Sequence, residues 1–105
     1  MEQINWARVA GLFDGEGCIH KNKVQLDIGM IDKDLIVFCK EVFGVHNKIC
    51  EYPQKSGKIL YRLYVTGKAN VIRVLESMLP YFGERRTQQA LDCIERIKNS
   101  PYKTA

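Results

Sequence analysis

Residues 4–13 constrain the fold more than any other stretch of the chain. Seven of these ten positions are apolar (Ile4, Trp6, Ala7, Val9, Ala10, Leu12 and Phe13), and only Asn5, Arg8 and Gly11 interrupt them. Wound as a helix, they surround most of its circumference, and a helix that is apolar on all sides must be covered on all sides. A chain of 105 residues builds one domain and leaves much of its surface open. The cover is therefore expected to include a second helix from elsewhere, plausibly from another subunit. Gly11 fits that expectation, because a helix-interior glycine costs about 1 kcal/mol against alanine and usually has a packing reason.

This helix runs into Asp14-Gly15-Glu16-Gly17, where the glycines read as stop signals. Beyond it, residues 18–22 and 24–28 alternate as two strands with a turn at Asn22-Lys23. Ile19, Val24, Leu26 and Ile28 point inward; Cys18, His20, Asn22, Lys23, Gln25 and Asp27 point outward. Asp32 can cap a helix that reaches Phe43 and stops at Gly44. Strands are expected over 47–52 and 58–66, and in the second of these Tyr61, Leu63 and Val65 oppose Arg62, Tyr64 and Thr66. Gly67 ends the sheet, 69–79 is amphipathic and broken by Pro80, and a last helix spans 86–98. The order is αββαββαα: an α+β domain over residues 1–105, with a four-stranded antiparallel sheet covered by helices on one face and a polar, basic face left open. The tail after Pro101 is expected to fray.

The net charge of +4 (16 Lys and Arg against 12 Asp and Glu) suits a polyanionic partner without requiring one. Of Cys18, Cys39, Cys50 and Cys93, none forms a C-x-x-C pair and no histidine is placed to complete a zinc site. Four reduced, mostly buried thiols are expected. No apolar run approaches the roughly 20 residues of a membrane span, and Glu2 and Gln3 are not a basic leader. An intracellular location follows from these signals.

The chemistry is concentrated in Val9-Ala10-Gly11-Leu12-Phe13-Asp14-Gly15-Glu16-Gly17. Two acids at the C-terminal end of a helix oppose its dipole, so they are either solvated caps or are compensated by a cation or hydrogen bond. The segment resembles the motif of the LAGLIDADG homing endonucleases in its G-E-G variant, with Trp6 before it and Ile19 after it also in keeping. One motif copy resembles the homodimeric members of that family. The resemblance implies a helix 4–17 that packs on its symmetry mate through Trp6, Ala7, Ala10, Gly11 and Asp14, in an isologous contact. It implies Glu16 and the Gly15 carbonyl as ligands of Mg²⁺ (or Mn²⁺), hard cations that select oxygen donors, with Asp14 structural. It further implies metal-dependent hydrolysis of double-stranded DNA at a long, partly palindromic site. The segment from Pro80 to Ala90 is similar to the family's pattern before its last helix, with arginine in place of lysine and one extra residue. Arg86 is the first choice for an electrostatic role at the phosphate and Arg85 the second, since arginine stays charged. Met30 stands where many members carry a water-orienting glutamine.

The family lays its sheet in the major groove, which accepts a β-ribbon. On that resemblance the DNA-reading side chains are His20, Asn22, Lys23, Gln25, Asp27, Lys48, Cys50, Tyr52, Lys58, Arg62 and Tyr64. Two rivals remain: a non-cleaving nucleic-acid binder of the same fold, such as an RNA maturase or a repressor, and a plain dimerisation domain in which the acids are only caps. Retention of Glu16 favours cleavage and places RNA second to DNA; the polar, basic open face argues against the third.

Overall fold

The computed structural model describes residues 3–99. The elements run α1 (Gln3–Glu16), β1 (Gly17–Ile19), β2 (Gln25–Met30), α2 (Lys33–Phe43), β3 (Cys50–Pro53), β4 (Ile59–Thr66), α3 (Lys68–Met78), a 3-10 turn (Leu79–Tyr81) and α4 (Glu84–Lys98). This is the expected αββαββαα order. The expected tail beyond Pro101 lies outside the described residues.

The four strands form one antiparallel sheet in the order β1-β2-β4-β3. Alternation along each strand divides its side chains between two faces. Leu26, Ile28, Leu63 and Val65 face the helices and are buried. They meet Val9, Ala10 and Phe13 of α1, Ile36, Cys39, Val42 and Phe43 of α2, Val71, Val74, Leu75 and Met78 of α3, and Ala90, Ile94 and Ile97 of α4 in one cluster. No described helix is long and apolar enough to cross a membrane.

Local signals explain α2. Asp32 accepts from the backbone N–H groups of Asp34 (3.0 Å) and Leu35 (3.4 Å), which satisfies donors that no helical carbonyl can reach. Gly44 closes the helix at φ 66°, a left-handed conformation that glycine adopts without a Cβ penalty. Several boundaries differ from those read in the sequence. Helix α1 ends at Glu16, one residue short of the expected 17, and α4 begins at Glu84, two residues before Arg86. The third strand is short and late, at Cys50–Pro53 instead of 47–52. Pro53 belongs to that strand because β3 is at the sheet's edge, where a missing N–H breaks no ladder.

Candidate functional site

The end of α1 is where the sequence placed its chemistry, and a side chain from α4 organises it. Arg86, only 9% exposed, donates through Nη2 to the carbonyls of Asp14 (3.0 Å) and Gly17 (3.4 Å). Its Nε points to the Asp14 carboxylate at 3.4 Å, and Nη1 donates to Gln89 Oε1 at 3.0 Å. The guanidinium carbon lies 5.3 Å from the centre of the Phe13 ring. No basic residue lies in the last turn of α1 itself. Arg86 therefore supplies, from 72 residues away, the cation that a helix C-terminus carrying acids calls for. Arg86, expected at a phosphate, is buried in this structure with its donors on the motif and on Gln89. Arg85, its exposed neighbour, is the arginine left facing solvent.

Glu16 ends α1 exposed and has no hydrogen bond or ion pair among the described residues. Gly15 is exposed too, and a Cβ added there would meet nothing within 4 Å. Arg86 engages the carbonyls on either side, of Asp14 and Gly17, and leaves that of Gly15. Gly17 passes so close to the Phe13 ring that any side chain would collide with it. This pins the step from α1 into β1. A carboxylate and a helix-terminal carbonyl are hard oxygen donors that fit Mg²⁺ or Mn²⁺ and not a soft ion.

The rest of α1 separates into two faces. Val9, Ala10 and Phe13 are fully buried in the chain's own core, and the Trp6 ring lies 6.1 Å from that of Phe43. Ala10, expected at the interface, points inward, and the half-buried Trp6 packs against the core side. The opposite stripe holds Ile4, 72% exposed, with Ala7, Arg8, Gly11 and Gly15, and Asp14 at its margin. A Cβ at Gly11 would likewise meet nothing within 4 Å.

The sheet face away from the helices carries the other expected residues. Strand registers place Cys18 opposite Asp27 and Asp27 opposite Tyr64, with Gly29 opposite Arg62 and Arg62 opposite Cys50. Asp27 points outward as expected but is only 6% exposed, because two neighbours cover it. Arg62 Nη1 donates to its Oδ1 at 2.6 Å, and His20 Nε2 lies 2.6 Å from its Oδ2. Asp27, expected at a base edge, here supports Arg62 and His20. Gly29 gives Arg62 its path: a Cβ there would sit 3.1 Å from the guanidinium carbon. Gln25 Nε2 reaches His20 Nε2 at 3.4 Å.

Lys23, Gln25, Lys48, Cys50 and Tyr64 line one shallow groove of about 530 Å³ with Asn47 and Thr66. The Tyr52 and Tyr64 hydroxyls are 3.0 Å apart, and that bond, aided by some desolvation, pushes the Tyr52 hydroxyl up to about 12. Asn22 and Lys58 are exposed in the two turns. The sequence reading missed Asn47, which donates to Thr66 Oγ1 at 3.2 Å, and Arg96, which donates to the carbonyls of His20 (2.9 Å) and Lys23 (3.3 Å) and braces the β1–β2 turn. Asn47 sits beside Lys48 in a polar run that could have pointed to it. Arg96 gives no such signal, since a basic residue near a helix end is the ordinary case. All four thiols are free: Cys39 and Cys93 are buried, Cys50 is half-buried and Cys18 is exposed.

Two solved structures share this architecture. Both are of the homing endonuclease I-CvuI, one with the I-CreI target in 2 mM Mg and its DNA not cleaved, the other with its own target in 2 mM Ca. The TM-scores are 0.69 and 0.67 at 19% identity, covering 94% and 91% of this chain and 69% and 67% of those chains. The fold is thus that of the homing endonucleases. The family model for the LAGLIDADG-like domain matches residues 4–78, and the chain belongs to that family. Arg85 and Arg86 lie beyond the matched segment. Comparison with curated protein sequences gave no match.

Proposed function

We propose that the chain is one half of a homodimeric, divalent-metal-dependent endonuclease that cuts double-stranded DNA at a long, partly palindromic site. The observation that carries this reading is Glu16: an acid at the unfavourable end of a helix, exposed, without a partner among the described residues, beside a carbonyl that Arg86 leaves alone. Two protomers joined through the open stripe of α1 bring two such acids to one place. Close carboxylates repel unless a cation lies between them.

Glu16 and the Gly15 carbonyl would hold Mg²⁺ or Mn²⁺, with Asp14 fixed by Arg86 as a structural element. The metal, when bound, supplies an activated water and charge stabilisation for the leaving oxygen. The chain's residues do the rest. Arg85 is placed to meet a phosphate electrostatically, and the outward sheet face reads base edges. Arg62, held in position by Asp27, suits guanine O6 and N7; Gln25 suits adenine. Lys23, Lys48 and Lys58 provide sequence-independent attraction to phosphates. The I-CvuI complexes with target DNA support this reading as a likeness of fold.

Met30 favours a second reading, a binder of the same fold that does not cleave. It ends β2 packed against the core, paired across strands with Tyr61, and a thioether orients water poorly. Cleavage of a randomised DNA library in Mg²⁺ by the native protein and by Glu16→Gln decides between the two. Cleavage by the native protein alone, with DNA binding kept by both, supports the nuclease. Equal cutting by the variant refutes the role of Glu16, and binding without cutting by either supports the binder.

A further inference from the structure

The β1–β2 ribbon brings together a second group of metal-binding side chains, chemically unlike the acid at Glu16. Cys18 and Asp27 are direct cross-strand partners, a relation that sets their Cβ atoms about 4.5–5.5 Å apart on one face. His20 follows two residues after Cys18 and turns to the same side, where it meets the Asp27 carboxylate. One ligand atom from each of Cys18, His20 and Asp27 lies within 4.8 Å of the others. Bond lengths of about 2.0–2.3 Å in a tetrahedral zinc site require ligand separations of roughly 3.3–3.8 Å, so small side-chain rotations close the site.

We propose that Cys18, His20 and Asp27 form a binding site for a borderline-soft divalent cation of the Zn²⁺ class, with a fourth position open to water. A thiolate, a carboxylate and a neutral imidazole balance the double charge. Sulfur and imidazole donors select Zn²⁺ or Co²⁺ over Mg²⁺. The cation takes the place of the contact between His20 and Asp27 Oδ2, while Arg62 keeps Asp27 Oδ1 and orients the carboxylate from outside. The exposed thiol of Cys18 gives the ion its entry. The cysteine spacing did not announce this site, because its third ligand arrives through strand register. The metal site stands independently of the nuclease reading. One consequence does rest on that reading: bound metal occupies groups assigned to base contact, so metal and DNA compete.

Cobalt titration of the reduced, metal-free protein tests the site without reference to activity. The expected result is one Co²⁺ per chain with a thiolate-to-metal charge-transfer band, displaced by stoichiometric Zn²⁺ and unaffected by excess Mg²⁺. Cys18→Ser abolishes the band, His20→Ala weakens binding by more than about 10-fold, and Cys50→Ser and Glu16→Gln leave it intact. No band at excess Co²⁺ in the native protein overturns the proposal. So does an unchanged band in Cys18→Ser, or loss of the band in Cys50→Ser.

Discussion

Arg86 and Arg85 are adjacent in sequence and opposite in circumstance, which makes the pair a sharp test. Arg86→Met keeps the length and apolar stem of the side chain and deletes only the guanidinium. The 3.0 Å bond to the Asp14 carbonyl has a charged donor, and such bonds contribute about 1.5–3 kcal/mol. The contact to the Gly17 carbonyl at 3.4 Å is long and adds less. The pair with Asp14, whose side chain is 45% exposed, is screened by water and adds roughly 0–1 kcal/mol. The position over the Phe13 ring adds about 0.5–1 kcal/mol. With the 3.0 Å bond to Gln89 also lost, the total is at least about 3 kcal/mol. At about 4–8 °C per kcal/mol for a domain of this size, Tm should fall by more than about 10 °C. Arg86→Lys should recover only part of this, because one ammonium nitrogen cannot span the acceptors that the three guanidinium nitrogens reach separately. Arg85→Met should move stability by less than about 0.5 kcal/mol, as exposed substitutions do, and lower DNA affinity instead. The assay is thermal and urea unfolding by circular dichroism at fixed protein concentration, since dimerisation shifts Tm by mass action. If Arg86→Met unfolds like the native protein yet loses cleavage, the clamp is wrong and the side chain acts on DNA.

Three other outcomes follow from the same geometry. Gly11→Ala should strengthen α1 within one chain by about 1 kcal/mol and weaken the dimer, because the open space around Gly11 would be filled by a partner helix; light scattering across a concentration series reads this, and an unchanged dimer would remove Gly11 from the interface. Gly29→Ala should shift the Arg62 guanidinium by a few tenths of an ångström against Asp27 and relax base preference at the position it reads, with little change in overall DNA affinity; a selection on randomised sites that returns the native preference contradicts that assignment. Among the thiols, Cys18 should react quickly with an aromatic disulfide reagent and Cys39 only on unfolding. Burial pushes the Cys39 thiol from its ordinary 9.0 to about 11, with a smaller opposing pull from Arg8. The folded state thus favours the protonated form: its contribution is intact below pH 9.0 and is lost as pH rises toward about 11, which urea titrations at stepped pH can follow.

What could be read from the sequence was what neighbouring residues decide between themselves. Asp32 and Gly44 bracket α2 because a cap needs only the next two or three residues. Alternation assigned Leu63 and Val65 to one face and Arg62 and Tyr64 to the other, since the pleat has a fixed period of two. What failed depended on distant partners or on a degenerate pattern. The end of α1 among the glycines was legible, but the arginine from α4 that engages the carbonyls of Asp14 and Gly17 was not. Nothing in an all-round apolar helix says which side meets its own chain, so the inward direction of Ala10 and the half-burial of Trp6 are not legible in the sequence. The outward direction of Asp27 was legible; its burial under Arg62, 35 residues on, was not. The third strand slipped because the polar run before it alternates as a strand would, while Asn47 reaches Thr66 with its side chain from a loop.

Several features of α1 are unfavourable for a lone chain, and they fall in one region. Ile4 is exposed at 72%. Gly11 weakens the helix interior by about 1 kcal/mol and has nothing packed on it. Asp14 and Glu16 sit where the helix dipole is negative, and Arg86 contacts only the first of them. Each has an ordinary explanation alone, but an exposed isoleucine and bare glycines along one stripe, with an uncompensated acid at the end of the helix, form the pattern a second identical helix would correct. The glycines would admit close approach, Ile4 would be covered, and Glu16 would gain the cation it lacks. The dimer is therefore the condition on which the proposed cleavage rests: a chain that stays monomeric at micromolar concentration in Mg²⁺ would leave Glu16 a solvated acid and the catalytic reading without a site.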